Sequence, residues 1–303
     1  MFDVSKNTGV TTPSGAKVPP AWSDVWITDD SRSCIQATGR DSKGRKVYLY
    51  SAEYMGRAAA AKFTRLKAIV KVYPSMVRRF RHDMRARDEA LVLYLISKTG
   101  FRIGSDAETL AEVKAFGAST LRCRHVDIAA NRVSFDFTGK KGVRVTKTIT
   151  DGFIAGEIGT RCRSSSDQSL FNTSDDKIRA YLYSIPGGSR FSVKDFRTYI
   201  RTLIAFRKIK AMPFPESGME YKKYRKEVGE VVAKQLGNSR VIALKSYVSP
   251  EVFCSWDSKD KSRPEKVPGL PSSLKNEFLE CIHYDQEVAI KEFHDTDPLE
   301  RRE

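Results

Sequence analysis

The chain has 303 residues, 40% of them hydrophobic, with 12 Tyr, 16 Phe and 3 Trp. It can therefore bury one large core or two smaller ones, and its composition is not that of a disordered chain. The 53 Lys and Arg against 37 Asp and Glu give a formal net charge of +16, which favours polyanionic partners, nucleic acid first. No run of about 18 apolar residues could span a membrane, no basic amphipathic stretch has an apolar face for a membrane surface, and the N-terminus has no secretory h-region.

Residues 1–18, rich in Gly, Ser, Thr and Pro, read as a loose arm on a small β-rich module that ends near residue 64. Within it, CIQATGRDSKGRKVYLYS predicts an antiparallel hairpin with strands over 34–39 and 45–50, turning at Asp41-Ser42-Lys43-Gly44. Arg40, Lys43, Arg45 and Lys46 gather at that turn, and strand alternation puts Tyr48 and Tyr50 on one face. From about residue 65 the period becomes helical. Eight Lys and Arg fall between 65 and 87, which suits either a solvated helix face or a helix lying on phosphates. Residues 88–98 are dense in Leu, Ile, Val and Tyr and predict a buried helix capped by Gly100. RVSFDF and VRVTKTIT predict a second hairpin, with Lys140 and Lys141 at its tip and Val133, Phe135 and Phe137 turned inward. Helices follow over 193–206 and 221–236, the latter stopped by Gly237. Beyond Tyr247 a Ser/Pro/Lys-rich connector (255–273) leads to a last helix over 272–293 and an acidic tail.

The expected fold class is α+β, with a β-rich module over 1–64 and a larger, mainly helical domain with an embedded β-hairpin over 65–303. Five scattered cysteines without CxxC or Cys/His spacing read as free thiols in a reducing compartment and give no structural zinc.

Four stretches place cations where phosphate chemistry could use them: TGFRIGS with Arg102, FTGKKGV with Lys140, KDFRTYIR with Arg197, and LGNSRVIALKSYVSPEVF with Tyr247. Arg197 lies on a helix whose apolar face (Phe196, Ile200, Leu203, Ile204) should be buried. Taken singly, each reads equally as a surface salt bridge or a packed tyrosine. Together they describe phosphoryl transfer. A tyrosine hydroxyl with pKa about 10 needs cations around it to act as a nucleophile. Planar guanidiniums clamp non-bridging oxygens, and a lysine can protonate an alkoxide leaving group. No paired-acid motif suggests magnesium, and no GxxxxGK[ST] loop suggests a nucleotide cofactor.

The order RIG, GK, KDFR, LKSY closely resembles the type IB DNA topoisomerases in their compact poxviral and bacterial form. PPAWSDVWI (19–27), QATGRDSKGRKVYLYS (36–51) and FGASTLRCRHV (116–126) are similar to that family's segments in the same order, so the likeness runs from residue 19 to about 253. The resemblance implies the tyrosine recombinase/type IB topoisomerase fold. It implies that Tyr247 attacks a DNA phosphate to form a 3′-phosphotyrosyl bond, with Arg102 and Arg197 on the non-bridging oxygens. Lys140, which follows Gly139 directly and is preferred to Lys141 for that reason, would be the general acid. Asn238, nine residues before the nucleophile, would donate a hydrogen bond where poxvirus-like members carry a histidine; the four histidines would be non-catalytic. The β-module would be half of a DNA clamp, with Tyr48 and Tyr50 on bases and Arg40, Lys43 and Arg45 on phosphates. Val47 replaces a polar base-reading residue of poxvirus members, which implies a different cleavage preference. The implied substrate is double-stranded DNA and the enzyme a cytoplasmic monomer (nucleoid-associated in a bacterium, in virion or host cell for a virus) with no metal, ATP or other cofactor. Two alternatives stand beside it. A tyrosine recombinase or integrase is disfavoured by Lys194, where recombinases carry a histidine, and by the β-rich front module. The other is a non-catalytic DNA-binding protein of the same fold.

Overall fold

The structure, a computed structural model, describes residues 2–4, 10–104, 114–162, 165–236 and 239–257, and the chain divides into units over 1–64 and 65–303. In the first unit, β1 (Phe2–Val4), β2 (Ser23–Ile27), β3 (Ile35–Arg40) and β4 (Lys46–Tyr50) form an antiparallel sheet in sequence order. The alternation in SDVWI turns Val25 and Ile27 into a small core with Val18 and Ala37, closed by Val10, Trp22 and Leu49. The β3–β4 hairpin forms where expected, because Gly44 supplies a left-handed turn residue (φ 72°) and the Asp41 carboxylate accepts the Lys43 and Arg45 amides at 3.0 and 3.1 Å. Residues 10–18 are not the loose arm expected. Thr11 bridges to Lys17 and Val18 is 1% exposed, so burial of one valine in the sheet's core outweighs the local Gly/Pro composition.

α1 (Ala52–Asp83) starts well before residue 65: the Ser51 hydroxyl accepts the Tyr54 amide at 3.2 Å and Ala58–Ala61 favour helix. In the second unit its basic residues act as staples. Lys67 Nζ lies 2.7 Å from the Glu251 carboxylate and Arg65 Nε 3.4 Å from Asp195, and just past the helix Arg85 Nε is 3.5 Å from Glu157. α2 (Asp88–Thr99) is hydrophobic nearly all round and buried almost throughout, and Gly100 closes it with φ 68°. The expected second hairpin is the β6–β7 pair of an antiparallel sheet of β5 (Val126–Ala129), β6 (Arg132–Thr138) and β7 (Arg144–Thr150), with Val133, Phe135 and Phe137 buried.

α3 (Gly152–Arg161), capped by the Asp151 carboxylate, and α4 (Asp175–Ser184), capped by Ser174, were not anticipated. α5 (Val193–Lys210), α6 (Gly218–Leu236) and α7 (Arg240–Tyr247) complete a helical body, so the fold is α+β as expected. One expectation fails: Cys123 and Cys162 form a disulfide across a Cα–Cα distance of 5.3 Å. Their spacing carries no signal, because it is the fold that brings the short turn at 123–125 beside the end of α3. Cys34 and Cys254 are in no disulfide. The connector, last helix and tail expected beyond residue 257 lie outside the described residues.

Candidate active site

Arg102 is fixed by the turn that follows α2. Gly100 reverses the chain, and Phe101 packs edge-on against Phe135 and Phe137 of β6, with ring centroids at 5.4 and 5.0 Å. The Arg102 and Ile103 carbonyls then accept the Ala118 and Ser119 amides, both at 2.7 Å. Gly104 and Gly117 meet back to back: a Cβ on Gly117 would lie 2.5 Å from Gly104 Cα and 2.7 Å from the Arg102 carbonyl oxygen. That close approach needs glycine on both strands of the loop.

α5 carries the next part of the site. Arg197 is 6% exposed, and its Nε donates to the Gly100 carbonyl at 2.8 Å. One turn on, Arg201 is 3% exposed, and its guanidinium reaches the Thr99, Gly100 and Gln235 carbonyls at 3.2–3.5 Å. The apolar face expected here is displaced. Phe196 is fully buried, but Ile200, Leu203 and Ile204 are only partly so, and Arg197, Arg201 and Thr202 take their place inside. Periodicity reads only the apolar side chains, whereas α5 turns its cationic face inward towards the site.

Tyr247 ends α7, a helix started by the Ser239 hydroxyl. Its carbonyl accepts from the buried Thr202 hydroxyl at 3.1 Å, and that same oxygen accepts the Ser249 amide at 3.2 Å, so α5 grips the chain on both sides of Val248. The Tyr247 ring centroid is 5.3 Å from the Arg197 guanidinium carbon. Burial pushes the hydroxyl up, but the neighbouring cations Arg197, Arg102 and Lys194 outweigh it and hold it below the ordinary tyrosine value. Tyr73, Tyr94 and Tyr181 show the contrast, since burial leaves their hydroxyls well above that value. The cations are strained in turn: burial, partly offset by Tyr247 and reinforced by Arg102, lowers Arg197, while burial and Arg197 bring Arg201 down to about 10.

Lys140 opens the short turn joining β6 to β7, held by the Gly139 amide on the Val143 carbonyl at 2.7 Å and by Gly142 at φ 73°. It lines one cleft of about 90 Å³ with Arg102, Arg197, Arg201, Arg144 and Lys234. This volume is far below the roughly 300 Å³ at which drug-sized ligand pockets begin. The lining is strongly cationic and suits a phosphate group. Of the predicted site residues, the structure thus brings Arg102, Lys140 and Arg197 to one cleft and sets Tyr247 against Arg197. Asn238 and the Lys141 side chain lie outside the described residues.

In the first unit, Tyr48 is 44% exposed and its ring stacks with that of Tyr50 at 6.2 Å. Arg45 is held by Asp41, its Nε donating at 2.8 Å, which keeps that carboxyl at about 2. Arg40 donates to the Gly44 carbonyl at 2.9 Å and pairs with Asp24 at 3.1 Å. Both arginines therefore staple the hairpin, while Lys43 stays exposed at its tip. The sequence reading missed Trp26. It is 45% exposed and shares a cross-strand row with Thr38 and Tyr48; its place between the inward Val25 and Ile27 was the available signal. Arg201 was missed as well, because nothing in a basic helix marks which arginine is buried.

Residues 51–261 match the family described as eukaryotic DNA topoisomerase I, catalytic core. Residues 16–41 match the bacterial DNA topoisomerase IB N-terminal domain. A DNA topoisomerase 1B of Acanthamoeba polyphaga mimivirus is 30% identical over 276 residues, which cover 80% of this chain and 82% of the viral protein.

Proposed function

This chain belongs to the type IB DNA topoisomerase family, and from that premise we propose that it relaxes supercoiled duplex DNA through a transient 3′-phosphotyrosyl bond at Tyr247. The observation that carries this reading is a buried tyrosine whose ring lies 5.3 Å from the guanidinium carbon of Arg197, which lines a small cationic cleft with Arg102 and Lys140. In the proposed step the Tyr247 oxygen bonds to the phosphorus as the bond to the 5′ oxygen breaks. Arg102 and Arg197 hold the non-bridging oxygens, where charge grows in the transition state. Lys140 gives its proton to the departing 5′ oxygen. The freed 5′ end rotates about its partner strand, and the reverse attack reseals the break.

The covalent link keeps the energy of the phosphodiester, so the cycle needs no ATP; the protein's own cations supply the stabilisation that a metal would otherwise give. Asn238, nine residues before Tyr247, would add a neutral hydrogen-bond donor. The exposed row of Tyr48 and Trp26, with Tyr50 beside it, would meet bases, while Lys43, Arg40 and Arg45 would meet phosphates. The proposal is for a monomer, since one chain supplies every group named. The match of residues 16–41 to a bacterial topoisomerase IB domain favours this reading over a recombinase.

The test is relaxation of a supercoiled plasmid with EDTA present and ATP absent, by wild type and Tyr247→Phe, together with a denaturing gel for protein–DNA adducts. Relaxation and adduct from wild type alone are expected. Relaxation by Tyr247→Phe would remove Tyr247 from its role, and DNA binding by wild type without relaxation or adduct would leave only a binding protein.

A further inference from the structure

Arg201 is an expensive residue to bury. It is 3% exposed, and no carboxylate among the described residues pairs with it. Its acceptors are neutral and distant: the carbonyls of Thr99 (3.3 Å), Gly100 (3.5 Å) and Gln235 (3.2 Å), and Gln235 Oε1 at 3.4 Å. Its Nε is buried without a partner. It also lies four residues from Arg197 on the same helix, a spacing at which like charges repel. A buried, incompletely bonded cation beside another cation destabilises a fold, so its place is better explained by the site than by stability.

The segments it joins indicate what it does there. Thr99 and Gly100 close α2 and lead directly to Arg102. Gln235 stands in the last turn of α6, from which the chain passes to α7 and Tyr247. Gln235 Oε1 also accepts from Lys147 Nζ of β7 at 3.2 Å, the strand that leads back to the turn at Lys140. Gly100 leaves the space the guanidinium needs, since a Cβ there would lie 2.8 Å from an Arg201 terminal nitrogen.

We infer that Arg201 is a positioning residue for strand cleavage: through its bonds to backbone carbonyls it ties the Arg102 turn, the end of α6 before Tyr247 and, through Gln235, the Lys140 hairpin into one geometry around the phosphate. This rests on the transesterification proposed above. It adds a third guanidinium to the site, one that acts through its neighbours.

The experiment uses the full chain and a duplex oligonucleotide whose cleaved 5′ fragment dissociates, so that the single-turnover rate of adduct formation is read at saturating protein. DNA affinity is measured separately in a Tyr247→Phe background. Arg201→Gln should cut the saturated rate by about 100-fold, the cost of misplacing reacting groups by about an ångström, with DNA affinity within about twofold since its guanidinium donates to protein carbonyls. Arg201→Lys keeps the charge but cannot reach three acceptors, so it should recover less than about a tenth of the lost rate. Gln235→Leu, at an exposed position where folding is secure, should slow cleavage by about 10-fold, and the double variant should be no slower than Arg201→Gln, because coupled residues do not add. Wild-type rates in folded Arg201→Gln or in Gln235→Leu, full rescue by lysine, or a loss confined to DNA affinity would each overturn the inference. No adduct from wild type would instead overturn the transesterification reading, and this inference with it.

Discussion

Replacing Arg197 by methionine separates what this residue does for the reaction from what it does for the fold. The guanidinium carbon lies 5.3 Å from the Tyr247 ring centroid. Unit charges at that distance interact by about 3 kcal/mol at an effective dielectric of about 20. Losing that support for the developing phenolate alone is worth roughly 200-fold in rate. A preorganised donor to the phosphate oxygens contributes about another 3 kcal/mol. Because two effects on one phosphate do not add fully, the expected fall in single-turnover cleavage is about 10³- to 10⁴-fold.

Stability should behave differently. Methionine forfeits the 2.8 Å hydrogen bond to Gly100, worth about 1 kcal/mol. It also relieves the repulsion from Arg102 and Arg201 and the desolvation of a cation that is 6% exposed, and replacing buried charges by apolar side chains of similar volume is often stabilising by about 1–4 kcal/mol. Arg197→Met should therefore melt no lower than wild type while forming adduct far more slowly. The assay pairs a thermal melt with the burst of adduct on a short duplex. A rate within tenfold of wild type, or a melting point lower by more than about 5 °C, would refute the reasoning.

The acidified Tyr247 hydroxyl makes cleavage pH-dependent: the rate should rise with pH and level off below the ordinary tyrosine value of 10.0, since the charged form is the nucleophile and Arg197 and Arg102 favour it. In Arg197→Met the same limb should move to higher pH, and an unmoved limb would detach Arg197 from the ionisation. Trp26→Ala should weaken DNA binding about 5- to 10-fold if the ring stacks on a base and should leave the melting point unchanged, because the ring is 45% exposed; an unchanged Kd would remove Trp26 from the interface. Glu251→Gln strands Lys67, whose Nζ is 2.7 Å away, and should cost about 3 kcal/mol. A melt within about 2 °C of wild type would show the pair to be dispensable.

The parts of this protein legible in its sequence are those that announce themselves locally. Gly100 ends a run of apolar residues, Asp41 and Gly44 write their own turn, and Val133, Phe135 and Phe137 alternate. The structure agrees at each. The candidate site residues stood out as cations and a tyrosine in four short motifs that resemble one family, and the fold gathers Arg102, Lys140 and Arg197 at one cleft with Tyr247 beside Arg197. α5 is where such reading breaks down. Its apolar residues point to a face containing Ile200, Leu203 and Ile204, yet the helix is rotated so that Arg197, Arg201 and Thr202 are inside. Apolar periodicity assumes that burial is driven by transfer from water, and here two cations are buried against that drive. A fold keeps such a local conflict where function needs it, and it recurs at Cys123 and Cys162, which only the tertiary structure brings together. Composition counted Arg201 as one more basic residue among 53 Lys and Arg. It takes the structure to show that this arginine contacts the Thr99 and Gly100 carbonyls and the end of α6 and has no carboxylate partner among the described residues. On the transesterification proposed above, the scissile phosphate is the anion that Arg102 and Arg197 hold, and Arg201 keeps the chain segments around it in place.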